Sequence, residues 1–245
     1  MSKKCRRCLK SNFFCCIIFF KGGIYIKLKI MYVKYPNIKI EKRNSAKIRG
    51  YFGNKFIENI ELHNHLDNKF LYAYPKVQYK TLQNTPFIIA IENSIPTLHN
   101  AIMQTEQIVI DNIAYNCDDI QIQLETKLLN ISNKINKYTF LNPWLCLNQK
   151  NYEKYKNLDE DEKKIFLDKI LIGNILSMCK GLNICVDNEI IVNTNVREVS
   201  SNFKNNKMVS FYGDFYTNFN IPNYFGIGKS VSRGFGMIKH IKEVE

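Results

Sequence analysis

Two stretches of this chain hold the residue types that chemistry needs. Near its end runs Gly226-Ile-Gly-Lys-Ser-Val-Ser-Arg-Gly-Phe-Gly236, where Gly226, Gly228, Gly234 and Gly236 bracket Lys229, Ser230 and Arg233. Glycine reaches backbone angles closed to other residues and lets a partner approach the main chain. Exposed N–H groups beside two cations make a natural cradle for phosphate oxygens. Far upstream, Leu62-His-Asn-His65 supplies two of the chain's four histidines. Histidine exchanges protons near neutral pH. On an extended backbone residues two apart share a face, so His63 and His65 would both meet one phosphate. Just before them stand Arg49, Tyr51 and Lys55, suited to steadying negative charge.

The glycine stretch fits neither common nucleotide loop. A Walker A loop needs Gly, four residues, then Gly-Lys-Ser; Gly228-Lys229-Ser230 supplies the tail, but Asn223 stands at the first glycine's place. In the dinucleotide pattern Gly-x-Gly-x-x-Gly, Val231 stands where the third glycine belongs. The 35 Lys and Arg outnumber the 22 Asp and Glu, a formal charge of +13. That balance favours a polyanion partner, nucleic acid first, and 14 Tyr and 16 Phe can supply stacking platforms as well as core.

Of eight cysteines, Cys5, Cys8, Cys15 and Cys16 lie in the first sixteen residues, and Cys5-x-x-Cys8 has no second pair at a metal-binding spacing. The other four read as reduced, buried thiols of a cytoplasmic protein. No metal and no cofactor is expected. Residues 1–23 join basic residues to the eight-residue apolar run Phe13–Phe20, too short for a bilayer, which takes about 20. They read as an extension outside the fold, with no membrane partner.

The elements that must position these residues follow from periodicity. A strand begins at Ile24. Ser45 caps a helix with Ile48, Phe52 and Phe56 inward and Lys47, Tyr51 and Lys55 on the next stripe; Gly50 and Gly53 permit close approach of another backbone. A polar loop, Glu61–Asp67, carries the histidines. Strands are expected over Phe70–Lys80, with Pro75 inside, and Phe87–Ile91, around a turn at Gln83–Pro86. A helix from Ser94 to about Thr105 precedes strands near Ile108–Ile110 and Ile120–Leu129. Beyond them come a strand at Lys137–Leu141 and a helix over Asp159–Lys180 with the stripe Phe166, Ile170, Ile172, Leu176. Strands at Glu189–Val199, Met208–Phe219 and about Gly236–Val244 complete the chain. The fold class is α+β: two tandem ferredoxin-like (RRM-like) βαββαβ domains over 24–132 and 137–245, joined near Asn130–Lys137. Only one long helix is visible in the second.

At this point the residues resemble a known family. The C-terminal Gly-h-Gly, five residues, Gly-h-Gly loop is similar to that of CRISPR repeat-RNA-processing endoribonucleases, the CRISPR-associated protein six family, in its subgroup with a C-terminal glycine-rich loop. Upstream, Lys47–Phe56, Leu62–His65, Tyr74–Lys80, Pro143–Tyr152 and Phe211-Tyr-Gly-Asp-Phe215 carry the resemblance across residues 24–240. It implies a metal-independent cut in CRISPR repeat RNA that releases guide RNAs. It also implies a glycine loop that binds that RNA at the domain junction, and a catalytic histidine in the first half. Some relatives bind without cutting, so a non-cleaving repeat-RNA-binding subunit is the alternative. A homodimer and a place in a CRISPR effector complex are further partners the family admits.

RNA carries its own nucleophile, so the enzyme need only take the 2′-OH proton, steady the phosphorane and protonate the leaving 5′-oxygen. A 2′,3′-cyclic phosphate and a 5′-OH result. His63, His65, Lys55 and Tyr51 are the catalytic candidates. Arg49, Gly226, Gly228, Lys229, Ser230, Arg233, Gly234 and Gly236 are the RNA-binding ones. His99 and His240 read as surface or packed residues, and Trp144 as core.

Overall fold

The structure, a computed structural model, describes residues 17–20, 23–66, 69–70, 73–203 and 206–242. Cys5, Cys8, Cys15 and Cys16 lie outside them. A short strand β1 (Ile17–Phe20) pairs with the start of β2 (Gly23–Lys34). After β2 come α1 (Ser45–Lys55), one turn of α2 (Ile60–His63) and the two-residue strands β3 (His65–Leu66) and β4 (Lys69–Phe70). β5 (Val77–Leu82) and β6 (Thr85–Ile91) form a hairpin whose two turn residues, Gln83 and Asn84, both have positive φ, the twist-matched turn that short hairpins need. Helix α3 (Ser94–Met103), the hairpin β7 (Gln107–Ile110) and β8 (Ile113–Asn116), and the long strand β9 (Gln121–Phe140) complete this half.

The second half adds α4 (Gln149–Tyr155), α5 (Glu160–Gly181), β10 (Val192–Phe203), β11 (Asn206–Asn220) and β12 (Ile238–Ile241). β9 belongs to both halves. Its residues 121–129 pair with β2 and its residues 130–140 pair with β11 and β12. The first sheet runs β9-β2-β6-β5 and the second β12-β9-β11-β10, antiparallel throughout. Each is the fourth-first-third-second strand order of a ferredoxin-like unit, so the shared strand is the last of one unit and the first of the next. Between β11 and β12, where the second unit's second helix would lie, the chain instead runs through the glycine stretch, with one 3-10 turn at Val231–Arg233.

Several expectations shift. The linker expected at Asn130–Lys137 is continuous strand, its backbone pairing with β11 at Asn130, Ile131, Asn136 and Lys137. The strand expected from Phe70 starts only at Val77, after Pro75, which lacks a donor for the ladder. Ser45 does not cap α1; it is the first helical residue, and its hydroxyl bonds Lys42 O and Thr81 Oγ1. On α5 the buried stripe is Leu167, Leu171, Ile175, Met178 and Cys179, whereas Leu176 is exposed. That helix is apolar around much of its girth, so periodicity alone left the stripe underdetermined. Its start was legible: Asp159 and Glu162 form a reciprocal capping box. Of the scattered thiols Cys146 and Cys179 are buried, but Cys185 is exposed. Among the described residues no helix is long and apolar enough to cross a membrane.

One face of the first sheet packs Val33, Tyr79 and Ile88 against Ile48 and Phe52 of α1 and Leu98 of α3. The other face, through Leu28, Ile30 and Ile89, joins a single core with Trp144, Leu171, Phe211, Phe215, Phe225 and Ile227 of the second half. A shared core of that kind fixes the two halves to each other. Lys80 lies on this junction side of β5, alternating with Tyr79. It is fully buried, its Nζ has no hydrogen-bond partner, and burial pushes its pKa down to about 7. Unfolded, a lysine keeps its proton to about pH 10.4. Between the two values unfolding takes up a proton, so stability rises with pH from about 7 upward, and below that the full penalty stands. Lys80→Met is therefore expected to stabilise the protein by a few kcal/mol at pH 6. The gain should shrink steadily toward pH 10 in denaturant titrations; a pH-independent difference would contradict this.

Candidate active site

Helix α1 gathers the site. Ser45, Arg49 and Gly53 stand one turn apart on one stripe, and each meets a different part of the chain. Ser45 sits under the glycine stretch: a Cβ added to Gly234 would lie 2.7 Å from Ser45 Cβ. Arg49 donates from its guanidinium to the His63 carbonyl. Gly53 makes room for His63, since a Cβ there would lie 2.9 Å from His63 Cβ. The close approach expected at this glycine is found, and the partner is a histidine.

Arg49 is the centre of this arrangement. Burial first, and the charge of Arg233 second, hold its pKa below the ordinary arginine value. Burial does the same to Arg233. The Arg49 Nε is buried with no hydrogen-bond partner. Two guanidiniums from opposite halves, partly stripped of water and repelling each other, make a place where an anion is favoured.

His63 does not lie on an extended loop as expected. It ends α2, held there because Leu62 is buried and its carbonyl accepts from the Tyr79 hydroxyl at 3.1 Å. Asn64, at φ 54, then turns the chain into β3. His63 Nε2 is 2.8 Å from the Ile57 carbonyl. A carbonyl only accepts, so Nε2 carries the hydrogen and the neutral ring has its lone pair on Nδ1. His65 begins β3; its side chain lies outside the described residues. The shared face proposed for the two histidines therefore fails on His63, whose backbone is helical.

Lys55 and Tyr51 lean the other way, toward the turn between α3 and β7. Lys55 Nζ donates to Gln104 O at 3.0 Å and lies 5.5 Å from the centre of the Phe56 ring. The Tyr51 hydroxyl donates to Gln107 O. Lys47, on the same stripe, pairs with Asp111. His99 is exposed on α3, and the His240 ring packs 5.3 Å from that of Tyr138. Trp144 is core, stacked on Phe140 with Nε1 donating to Asn174 at 3.0 Å.

The glycine stretch is a packed junction in which many backbone amides are engaged within the protein. Gly226 N donates to Gln78 Oε1 at 3.0 Å, and its carbonyl accepts from the Tyr74 hydroxyl at 2.9 Å. The amides of Ile227, Lys229 and Gly236 donate to Gly236 O, Leu145 O and Pro143 O, and those of Arg233 and Gly234 close the 3-10 turn. Lys229 Nζ turns in to the Leu147 carbonyl at 3.0 Å, and burial lowers its pKa. Ser230, at φ 55, bends the chain into that turn. Gly228 and Gly234 have φ +97 and +96, angles other residues take only under strain. Asn142 Nδ2 holds the Gly234 carbonyl at 2.6 Å. Sequence reasoning missed Gln78 and Asn142 as the clamps of this stretch; the only hint was that both fall within or beside the resemblance segments. Among the described residues no three His, Cys, Asp or Glu side chains group as a metal site.

The Cas6b N-terminal domain model matches residues 26–128 and the Cas6b C-terminal domain model residues 130–241. The chain belongs to the Cas6b family. A Cas6b crystal structure is 40% identical, covering 88% of this chain and 100% of that one, with a TM-score of 0.84. A second, of the CRISPR RNA processing endoribonuclease Cas6b, is 37% identical over 88% of this chain and 100% of that one, with a TM-score of 0.71. An uncharacterised protein of Methanocaldococcus jannaschii is 46% identical over 114 residues, which are 46% of this chain and 78% of that protein. The boundary between the two Cas6b family domains falls within β9, at the strand the halves share.

Gly234→Ala places a methyl against Ser45 at a positive φ. It should cost upward of about 1 kcal/mol, read as a lower denaturation midpoint with unchanged slope. Gly50→Ala, where nothing lies within 4 Å of the added Cβ, should not destabilise α1.

Proposed function

We propose that this chain is a CRISPR RNA processing endoribonuclease that cuts the repeat of a precursor transcript and releases guide RNAs. The observation that carries the reading is the convergence on α1 of His63 from one half and Arg233 from the other, with Arg49 between them.

The scissile phosphate sits against Arg49 and Arg233. His63 Nδ1 takes the proton of the adjacent 2′-OH, and the freed oxygen bonds to phosphorus. The guanidiniums hold the charge of the phosphorane, where it is worth most because the site is partly dry. Lys55, swung off the Gln104 carbonyl, adds a third cation, and Tyr51 orients the strand. The bond to the 5′-oxygen then breaks and that oxygen takes a proton from His65. The products are a 2′,3′-cyclic phosphate and a 5′-OH, and no metal takes part in these steps. Lys229, Ser230 and the glycines shape the surface along which the strand runs.

Incubated with repeat RNA in EDTA, the protein should yield a 2′,3′-cyclic end. His63→Ala and His65→Ala should each slow cutting by about 10²- to 10⁴-fold while RNA affinity changes little. Normal cutting by the double variant would overturn the assignment. RNA held tightly and left whole by the wild type would support a non-cleaving binding subunit instead.

A further inference from the structure

The segment Phe211-Tyr-Gly-Asp-Phe215 has no part in the mechanism above. Phe211 and Phe215 are buried in the shared core. Tyr212 alternates to the other side of β11, where it lines a cleft of about 510 Å³. Lys42, Arg43, Asn142, Arg233 and Phe235 also line it, and among the described residues no carboxylate does. The cleft thus opens between the start of α1, the end of β10, the middle of β11 and the glycine stretch, drawing on both halves. Lys42, Arg43 and Arg233 all bring cationic groups to its wall, Arg43 also pairing with exposed Glu41 at 2.6 Å. Asn142 is 5% exposed, and with Nδ2 fixed on Gly234 O its Oδ1 is buried without a partner. A dry, unpartnered acceptor is costly unless a donor reaches it.

Cations, an aromatic face and an amide acceptor in one hollow are the chemistry of an unpaired nucleotide site. We propose that this cleft holds one unpaired nucleotide of the RNA, its base stacked on Tyr212 and offering an N–H to Asn142, its phosphate between Lys42 and Arg233. This rests on the RNA-processing reading and adds a second contact point to it. From Ser45 to Gly53 the stripe of α1 spans about 12 Å, and Arg233 stands at both sites. The nucleotide in the cleft and the cut phosphate at His63 are therefore near neighbours on one strand, and the cleft sets which phosphate reaches His63.

Repeat RNA carrying single 5-iodopyrimidines is irradiated on the wild-type protein and the crosslinked peptides are sequenced. One position should join to the peptide holding Tyr212. Tyr212→Ala should weaken binding of that RNA roughly ten- to a hundredfold, and Tyr212→Phe, which keeps the ring, should restore it. An abasic residue at the crosslinked position should cost wild type the same factor and cost Tyr212→Ala almost nothing more, because both remove one contact. Full additivity of the two losses, or crosslinks that map only elsewhere, overturns the cleft assignment even if Tyr212→Ala folds poorly. A wild type that neither binds nor cuts the RNA overturns the endoribonuclease reading itself; one that cuts but never crosslinks at Tyr212 overturns the cleft alone.

Discussion

Two guanidiniums that repel each other, Arg49 on α1 and Arg233 on the glycine stretch, are held near one another, and the remainder of the molecule is arranged to keep them there. Arg49 is fixed by its bond to the His63 carbonyl and Arg233 by the 3-10 turn that ends against Ser45. Both are partly buried, and burial is the first cause of the lowered pKa of each. Like charges cost little in bulk water and much more where solvent is thinned. The core common to both halves, from Ile30 and Ile89 to Trp144 and Phe225, bears that cost.

The glycine stretch achieves this by not being a helix. In the first ferredoxin-like unit α3 lies between β6 and the last strand, whereas in the second the same place holds Gly226–Gly236. A helix would stand about 10 Å across. The irregular chain lies instead in contact with Ser45 and the Trp144 ring, closer than any side chain would permit. Its amides are engaged by Gln78, Leu145 and Pro143. The stretch therefore spends much of its backbone on holding the two halves together and on positioning Lys229 and Arg233, which glycine content alone does not suggest.

Most of the architecture was legible because alternation and capping are local. Most of the longer strands, a turn beginning at Gln83 and the start of α5 at Asp159 followed from short-range rules. What was hidden is tertiary. Nothing local says that β9 runs unbroken through both halves, or which stripe of an apolar α5 faces inward. At the site, residue types were readable but their posture was not. Leu62 buries itself and forces His63 to the end of a helical turn, where letter spacing suggested extension. Lys55 and Tyr51 were on the expected stripe, yet the turn after α3 and the start of β7, invisible as contacts in the sequence, claim one each. Asn142 and Gln78, which clamp the glycine stretch, carry no motif of their own.

The most direct measurement is a structure of the protein bound to repeat RNA with a 2′-deoxy nucleotide at the cut, which removes the nucleophile and leaves the strand whole. The account places the scissile phosphate in contact with both Arg49 and Arg233, and the 2′ carbon of that nucleotide beside the His63 ring. A phosphate bound away from both guanidiniums, with the His63 ring out of reach of it, would contradict the account.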